Sequence, residues 1–388
     1  MSELITPNKK AARIQTAVCG FLFSIFSFVY LYVFQHDVLE AIHFSLAHGK
    51  THYVPLASAL IVTAILLLLR WGVNSLLGLK GEIRALSYFP SCLVLGAMTD
   101  ATRSIYMQNH HTSWTWLLPT LILLFIVITY WLRRVFRLKL NTEVPPLALF
   151  NANLVILFLL FLMTILIGNS NRAFHHELEA ERYLREHQYE DVLKVGRYSA
   201  EATRTLTALR AMAMAHQGTM GEELFLYPQY YKSEGLFFDN DSLKTLRYTN
   251  DSVYYMLGVR PRFGESHQEL LRNICYKGTG KHVALDYYLS SLLLDKDLDS
   301  FAKGLTDFVD ADAELPRYYN EALILYKDKH PEASIAVTDS AMIRRYDAFK
   351  ERRLQFSFPS EERKNMRKEY GDTYWWYRGL GDVYKRQL

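Results

Sequence analysis

Cysteine is scarce in this sequence of 388 residues, which contains only Cys19, Cys92 and Cys275. Because the first two lie in apolar runs, the second half of the chain has a single cysteine and cannot form an internal disulfide framework. Common catalytic motifs are also missing, since there is no Gly-x-Ser-x-Gly turn and no Cys-x-x-Cys pair. The 13 histidines show no His-Glu-x-x-His spacing, so we predict no metal site and no cofactor.

Long apolar runs are absent after about residue 168, whereas five of them fill the segment before it. They cover residues 17–34, 53–69, 85–98, 114–132 and 146–168. Apolar runs of about 20 residues predict helices that span a membrane. The third run has only 14 residues and is short by this rule, so its assignment as a span depends on the charges around it.

Basic residues are unevenly distributed along the chain. Residues 1–168 contain 12 Lys and Arg against 6 Asp and Glu, whereas residues 169–388 contain 32 against 34. In the first part, the basic residues cluster before the first run and after the second and fourth runs. Because basic loops face the cytoplasm, we predict five spans, a cytoplasmic N-terminus and a C-terminal half on the opposite side. The absence of a basic excess in that half argues against nucleic acid as a partner.

The second half of the chain has a helical pattern. Its apolar residues recur at spacings of three and four, as in residues 203–215 and 285–294. A weak internal repeat relates the segment around Tyr189 to that around Met220, at an offset of 31 residues. This offset is close to the period of about 34 residues that is typical of tetratricopeptide hairpins.

These patterns together predict an all-α protein with two parts. About five transmembrane helices occupy residues 1–168, and a tetratricopeptide-like array of helical hairpins occupies residues 169–377. We expect six residues to be buried between the hairpins: Tyr189, Leu193, Met220, Leu224, Leu298 and Phe301. Stacked hairpins form a concave face, which favours a binding or assembly function.

Tyrosine is abundant, and 20 of the 26 tyrosines lie in the second half. The candidate binding residues are Tyr227, Tyr230, Tyr231, Tyr287 and Tyr288. Aromatic-rich concave faces bind peptides, proteins or glycans, because a tyrosine ring offers both an apolar face and a hydroxyl. The simpler interpretation is that these rings pack helix against helix.

Three ionisable residues lie near the outer ends of the first and third apolar runs, namely Asp37, Asp100 and Arg103. Ionisable groups beside a membrane are functional candidates. They are the candidate catalytic residues of an alternative function, a membrane transferase that acts on a lipid-linked sugar or a cell-wall precursor. The simpler interpretation of two of them is an ion pair at the headgroup level between Asp100 and Arg103, which are three positions apart.

Three segments of the second half resemble those of a family of Bacteroidota integral membrane proteins of unknown function. They are residues 209–229 (LRAMAMAHQGTMGEELFLYPQ), residues 315–326 (LPRYYNEALILY) and residues 370–377 (YGDTYWWY). The resemblance implies a multi-pass protein of the bacterial inner membrane with a periplasmic, tetratricopeptide-like domain. Its partners would be the lipid bilayer and a periplasmic protein, peptide or glycan. The resemblance assigns no activity and no catalytic residues.

The C-terminal tail has an unusual sequence. Residues 382–387 read Asp-Val-Tyr-Lys-Arg-Gln, which back-translates into the mosaic end of a transposase library adapter. We therefore expect residues 378–388 to be a sequencing artefact that contributes nothing to the core. The preceding residues 374–377 are four consecutive aromatics, which suit a packed terminal helix or an apolar patch left partly exposed.

Overall fold

The computed structural model describes residues 7–102, 105, 113–139, 146–199, 202–239, 247–310, 313–333 and 339–380. Every regular element in these ranges is a helix and none is a strand, which confirms the predicted all-α class. The chain divides into two compact units, Met1–His175 and His176–Leu388. We call them the bundle unit and the C-terminal unit.

The described residues of the bundle unit form six complete α-helices. They are α1 (Pro7–Val29), α2 (His36–Ala47), α3 (Pro55–Leu77), α4 (Phe89–Thr99), α5 (Trp114–Lys139) and α6 (Pro146–Ile167). A π-helical turn (Tyr30–Phe34) extends α1, and a 3-10 segment (Gly81–Tyr88) leads into α4. Large apolar side chains such as Leu68, Trp116 and Leu166 are exposed on the surface of the bundle. Exposed apolar surface of this extent is typical of helices that face lipid.

Within the described residues, four helices are long and apolar enough to span a membrane. They are Ala12–Phe34, Pro55–Leu77, Trp114–Leu132 and Leu147–Ile167, which indicate membrane association. The prediction of five such spans is wrong, because the third apolar run forms an α-helix of only 11 residues. The α-helix begins late, at Phe89, with Pro90 in its first turn, a position that proline favours. Its side chains are largely buried, with Cys92 and Leu95 fully enclosed.

Helices α1 and α6 run in the same direction. Near the start of both, Gln15 Nε2 donates to the carbonyl oxygen of Leu149 at 3.5 Å. Beyond the end of both, Gln35 Nε2 donates to the carbonyl oxygen of Asn169 at 3.0 Å. Each pair is separated by 134 residues in the sequence, which is the pattern of two parallel helices in register.

The remaining α-helices of the described residues lie in the C-terminal unit, apart from the first turn of α7. They are α7 (Arg172–Arg185), which begins in the bundle unit, α8 (Tyr189–Lys194), α9 (Arg204–Gln217), α10 (Met220–Glu223), α11 (Asn250–Leu257), α12 (His267–Lys277), α13 (Val283–Leu294), α14 (Leu298–Phe308), α15 (Arg317–Lys329), α16 (Ser340–Leu354), α17 (Pro359–Tyr370) and α18 (Tyr374–Leu380). Helix α13 lies at the centre, where it packs against α9, α12 and α14. It is apolar on almost all sides, as a helix surrounded by others must be.

The residues predicted to lie between hairpins are indeed in the core. Leu193, Met220, Leu224, Leu298 and Phe301 are all buried. Tyr189 is half-buried and stacks on His216, with the two ring centroids 4.8 Å apart. The helical period therefore located the buried faces correctly.

The last helix, α18, is packed against the rest of the unit. Tyr374, Trp375 and Tyr377 are buried, which confirms the first of the two interpretations of this aromatic segment. Leu380 is also buried, and Arg378 donates to the carbonyl oxygen of Lys296 at 2.9 Å. The expectation that nothing after residue 377 contributes to the core is therefore wrong for residues 378–380, while residues 381–388 lie outside the described ranges.

Candidate functional site

The carboxylates proposed for the transferase have separate partners in the bundle unit. The Asp37 carboxylate lies 3.2 Å from Nε2 of the adjacent His36. Asp100 is exposed and accepts a 2.7 Å hydrogen bond from Trp114 Nε1. Arg103 lies outside the described residues. Among the residues that the structure describes, no group of three or more His, Cys, Asp or Glu side chains could hold a metal ion.

Tyr287 and Tyr288, two of the candidate binding residues, lie inside the core. Tyr287 has no exposed surface, and its ring packs edge-on against Phe237. Tyr288 is 4% exposed and packs against Phe308. Burial also raises the pKa of the Tyr287 hydroxyl far above its usual range. These two rings pack helix against helix, in agreement with the simpler interpretation.

Tyr227 and Tyr230 line a cavity of about 260 Å³ in the C-terminal unit. We call it the aromatic cavity, because Tyr198, Phe225, Trp376 and Tyr377 also line it. Its walls come from the segment after α8, the segment after α10, and the last two helices. Arg197 and Arg367 lie on the same walls. Tyr231 is half-buried, precedes a 3-10 turn (Lys232–Leu236) and is not among the residues that line the cavity.

Two of the cavity's aromatic rings are held in place by backbone hydrogen bonds. The Tyr227 hydroxyl donates to the carbonyl oxygen of Leu193 at 2.9 Å. The Tyr377 hydroxyl donates to the carbonyl oxygen of Leu294 at 2.7 Å. Burial, and then the charge of Glu223, raises the pKa of Tyr227, so its hydroxyl stays protonated at neutral pH. These two rings are thus oriented before a ligand arrives, which favours binding because less order must be created.

Two polar atoms of residues that line the cavity have no hydrogen-bond partner among the described residues. They are Trp376 Nε1, a donor, and Gln229 Oε1, an acceptor, and both are buried. The amide nitrogen of Gln229 is occupied, since it donates to the carbonyl oxygen of Leu224 at 2.7 Å. A buried polar atom without a partner costs about 1–3 kcal/mol.

A buried cation lies behind the ring of Tyr227. Arg210 is 1% exposed, and its guanidinium carbon lies 4.6 Å from the centre of that ring. One of its terminal nitrogens donates to the carbonyl oxygen of Val195 at 2.6 Å. Burial lowers the pKa of Arg210 to about 10, so the side chain remains charged at neutral pH.

Sequence reasoning missed Arg197, Arg210, Arg367 and Trp376. One signal for Arg210 was present, because it is the single charged residue within the continuous apolar segment from Leu206 to Ala215. A charge in a fully buried helix is a candidate for function. The other three carried no such signal, since they come from separate segments that only folding brings together.

The comparisons with known proteins identify a family. The model of a family of unknown function (DUF6057) matches residues 141–261 and 260–379, which make up more than half of the chain. The matched residues include α6 and nearly all of the described C-terminal unit, and therefore the aromatic cavity. No curated protein and no solved structure matches the chain.

Proposed function

This chain belongs to that family, and we propose that its C-terminal unit is a ligand-binding module attached to a membrane-embedded helical bundle. The ligand would occupy the aromatic cavity. The observation that carries the proposal is the composition of the cavity lining, which combines six aromatic side chains with Arg197 and Arg367. A cavity lined mainly by aromatic and apolar side chains, with a few polar groups, is the usual form of a small-molecule site.

A tetratricopeptide-like arrangement of the C-terminal unit is part of this proposal. Support comes from pairs of consecutive helices that pack together, such as α8 with α9 and α13 with α14. The turn between α13 and α14 is short, and Asp297 caps α14 by accepting from the backbone nitrogen of Ser300 at 3.0 Å. In such arrays, helices contributed by several hairpins shape one binding surface.

We further propose that the C-terminal unit lies on the non-cytoplasmic side, which is the periplasm if the membrane is a bacterial inner membrane. Lys9, Lys10 and Arg13 are at the start of α1, and basic ends of spans stay in the cytoplasm. Because α1 and α6 are parallel, α6 ends on the side opposite to the N-terminus. This arrangement requires the 3-10 segment and the short helix α4, which together cover residues 81–99, to cross between α3 and α5. The C-terminal unit follows α6 directly in the sequence.

The proposal is tested by thermal unfolding of the full-length protein in lipid nanodiscs. The probes are short peptides, amino sugars and sugar acids. We expect at least one probe to raise the melting temperature of the wild type by several degrees, as binding to the folded state requires. The same probe should have a weaker effect on Trp376→Phe, which replaces the indole ring of the lining with a smaller aromatic ring.

Trp116→Phe is the matched control, because Trp116 is 81% exposed on the bundle unit and far from the cavity in sequence. It should respond to the probe as the wild type does. If no probe raises the melting temperature, or if Trp376→Phe and Tyr230→Ala respond as strongly as the wild type, the aromatic cavity is not a binding site.

A further inference from the structure

Two arginines lie close together at one end of the bundle unit. Arg70 is on α3, directly after the second apolar run, and Arg84 is on the 3-10 segment that leads into α4. Arg70 Nε donates to Ser87 Oγ at 3.2 Å. Arg84 and Ser87 are three residues apart in a 3-10 helix, which places their side chains on the same face. The two guanidinium groups are therefore neighbours, and their charges repel each other.

No carboxylate of the described residues pairs with either arginine. Besides its bond to Ser87, Arg70 contacts the ring of Tyr88, whose centre lies 4.7 Å from the guanidinium carbon. The acid nearest to Arg84 in sequence is Glu82, but it is two residues away and so lies on a different face of the 3-10 segment. Two adjacent cations without a counter-charge are unfavourable, and the cost is greatest beside a hydrocarbon layer.

The terminal nitrogens of both arginines reach the surface of the bundle. Both side chains are half-buried, and the enclosed atom without a partner is Arg84 Nε. The terminal nitrogens donate to no other described residue, and none of them is enclosed. Ser87 and Tyr88 also fix the orientation of the Arg70 guanidinium. Free donors are thus available to a group that approaches from outside the protein.

The surface beside the two arginines is apolar. On α3, Leu68 is 67% exposed and Trp71 is 68% exposed. Helix α3 is also one of the four helices that are long and apolar enough to span a membrane. Tryptophan is enriched where the hydrocarbon layer meets the lipid headgroups. Because Trp71 directly follows Arg70, the arginines lie at the level of the headgroups, and the apolar side chains before them lie at the level of the lipid chains.

We propose that Arg70 and Arg84 bind the phosphate of an anionic phospholipid whose acyl chains lie along α3. This inference goes beyond the proposed function, because it concerns the bundle unit and does not depend on the aromatic cavity. The phosphate supplies the negative charge that the two arginines lack. Its oxygens accept from the terminal nitrogens, and a guanidinium group can hold two such oxygens at once.

The pair of positive charges selects among phospholipids. In phosphatidylglycerol the headgroup has a single negative charge, so both arginines attract it. In phosphatidylcholine a quaternary ammonium lies next to the phosphate, and the two arginines repel it. We therefore expect the site to prefer phosphatidylglycerol. Inorganic phosphate has similar oxygens but no chains to cover the exposed apolar side chains of α3.

The test is thermal unfolding of the full-length protein in a mild non-ionic detergent. The probes are phosphatidylglycerol, phosphatidylcholine with the same acyl chains, and inorganic phosphate, each added at the same concentration. We expect phosphatidylglycerol to raise the melting temperature by several degrees, as binding to the folded state requires. Its effect should be at least about twice that of phosphatidylcholine, because only the anionic headgroup is attracted by both charges. Inorganic phosphate should have almost no effect.

Arginine variants separate a specific site from a general attraction of basic residues to lipid. Arg70→Gln and Arg84→Gln should each remove about half or more of the shift caused by phosphatidylglycerol and leave that of phosphatidylcholine unchanged. Without added lipid, Arg84→Gln should melt at or above the temperature of the wild type, because the repulsion between the two arginines is relieved. Arg134→Gln, on an exposed arginine near the end of α5, loses the same charge and should respond as the wild type does.

A second measurement on the wild type does not depend on whether the variants fold. In native mass spectrometry, the protein should retain phosphatidylglycerol in preference to phosphatidylcholine from an equimolar mixture. Equal retention, or equal shifts of the melting temperature by the two lipids, overturns the inference. An equal loss of response in Arg134→Gln overturns it in favour of general charge attraction, and an equal shift by inorganic phosphate overturns it in favour of a small-anion site. A lower melting temperature of lipid-free Arg84→Gln with a full response to phosphatidylglycerol would show that Arg84 has a structural role only.

Discussion

The Tyr30 hydroxyl oxygen and Thr99 Oγ1 lie 3.0 Å apart, which joins the π-helical end of α1 to the last residue of α4. Gln35 Nε2 donates to the same Tyr30 hydroxyl at 3.4 Å and to the carbonyl oxygen of Asn169 at 3.0 Å. Polar side chains inside a membrane bundle act as interhelical connections. This group of bonds holds the ends of α1, α4 and α6 together at one end of the bundle.

Gly168 provides the space for this connection, and replacing it should break the connection. A Cβ atom at Gly168 would overlap the Tyr30 hydroxyl and lie 2.6 Å from Thr99 Oγ1. We expect Gly168→Ala to lower the free energy of unfolding by about 1–3 kcal/mol, as overpacking does. The measurement is thermal or denaturant unfolding of the protein in detergent.

Gly72→Ala is the matched control, because a Cβ at that position in α3 has no heavy atom within 4 Å. It should be neutral or stabilising by up to about 1 kcal/mol, since alanine favours a helix over glycine. Equal effects of the two substitutions would contradict the tight packing around Tyr30.

The orientation of the C-terminal unit can be tested by cysteine labelling. In a Cys275→Ser background, a cysteine at Leu354, which is 87% exposed, should react with a membrane-impermeant maleimide in spheroplasts. A cysteine at Leu76, 86% exposed near the end of α3, should react only after the membrane is permeabilised. The reverse pattern would place the C-terminal unit in the cytoplasm.

A pH dependence of stability should originate from Glu321, which is buried in α15. Burial raises the pKa of its carboxyl to about 7, although Arg317 acts in the opposite direction. The folded state therefore holds this proton more tightly than the unfolded state does. The resulting stabilisation is complete below the unfolded pKa of about 4.5 and is lost as the pH rises through about 7.

We expect Glu321→Gln to remove this decline, which is measured as the melting temperature between pH 4.5 and 8. Asp372 has the opposite effect on the pH dependence of stability. Burial acts to raise the pKa of its carboxyl, but Arg317 outweighs burial and holds the pKa below its usual value. The stabilisation that Asp372 provides is therefore lost only in stronger acid. Glu369→Gln, on an exposed carboxylate paired with Arg352, is the control and should keep the profile of the wild type. An unchanged profile in Glu321→Gln would show that another group titrates.

The contribution of the chain's last described turn can be measured directly. Leu380 is 8% exposed and packs with Ile324, Tyr346 and Phe349. We expect Leu380→Ala to cost about 2 kcal/mol, at the low end for a buried leucine. Leu354→Ala, on a leucine that is almost fully exposed, should change stability by less than about 0.5 kcal/mol. Equal effects would mean that α18 is not part of the core.

The sequence alone determined where the apolar segments lie, that the protein is all-α, and which faces of the helices are buried. These properties depend on hydropathy and on a period of three to four residues, and both are local. Leu193, Met220 and Phe301 were found in this way. Hydropathy and the distribution of basic residues together predicted a transmembrane helix at the third apolar run. The α-helix there is shorter than predicted, because a 3-10 segment replaces its first turns.

Only the tertiary structure decided which residues form the aromatic cavity and how the bundle helices are aligned. Arg197, Tyr227 and Trp376 come from segments up to 179 residues apart in the sequence, and no local pattern relates them. The same applies to Gln35 and Asn169, whose hydrogen bond spans 134 residues. Tyr230 and Tyr287 are each the first residue of a Tyr-Tyr pair, but their environments differ. Tyr287 is enclosed by neighbouring helices, whereas Tyr230 lines the cavity. Burial and proximity are properties of the packed chain, because they depend on every element that surrounds a residue.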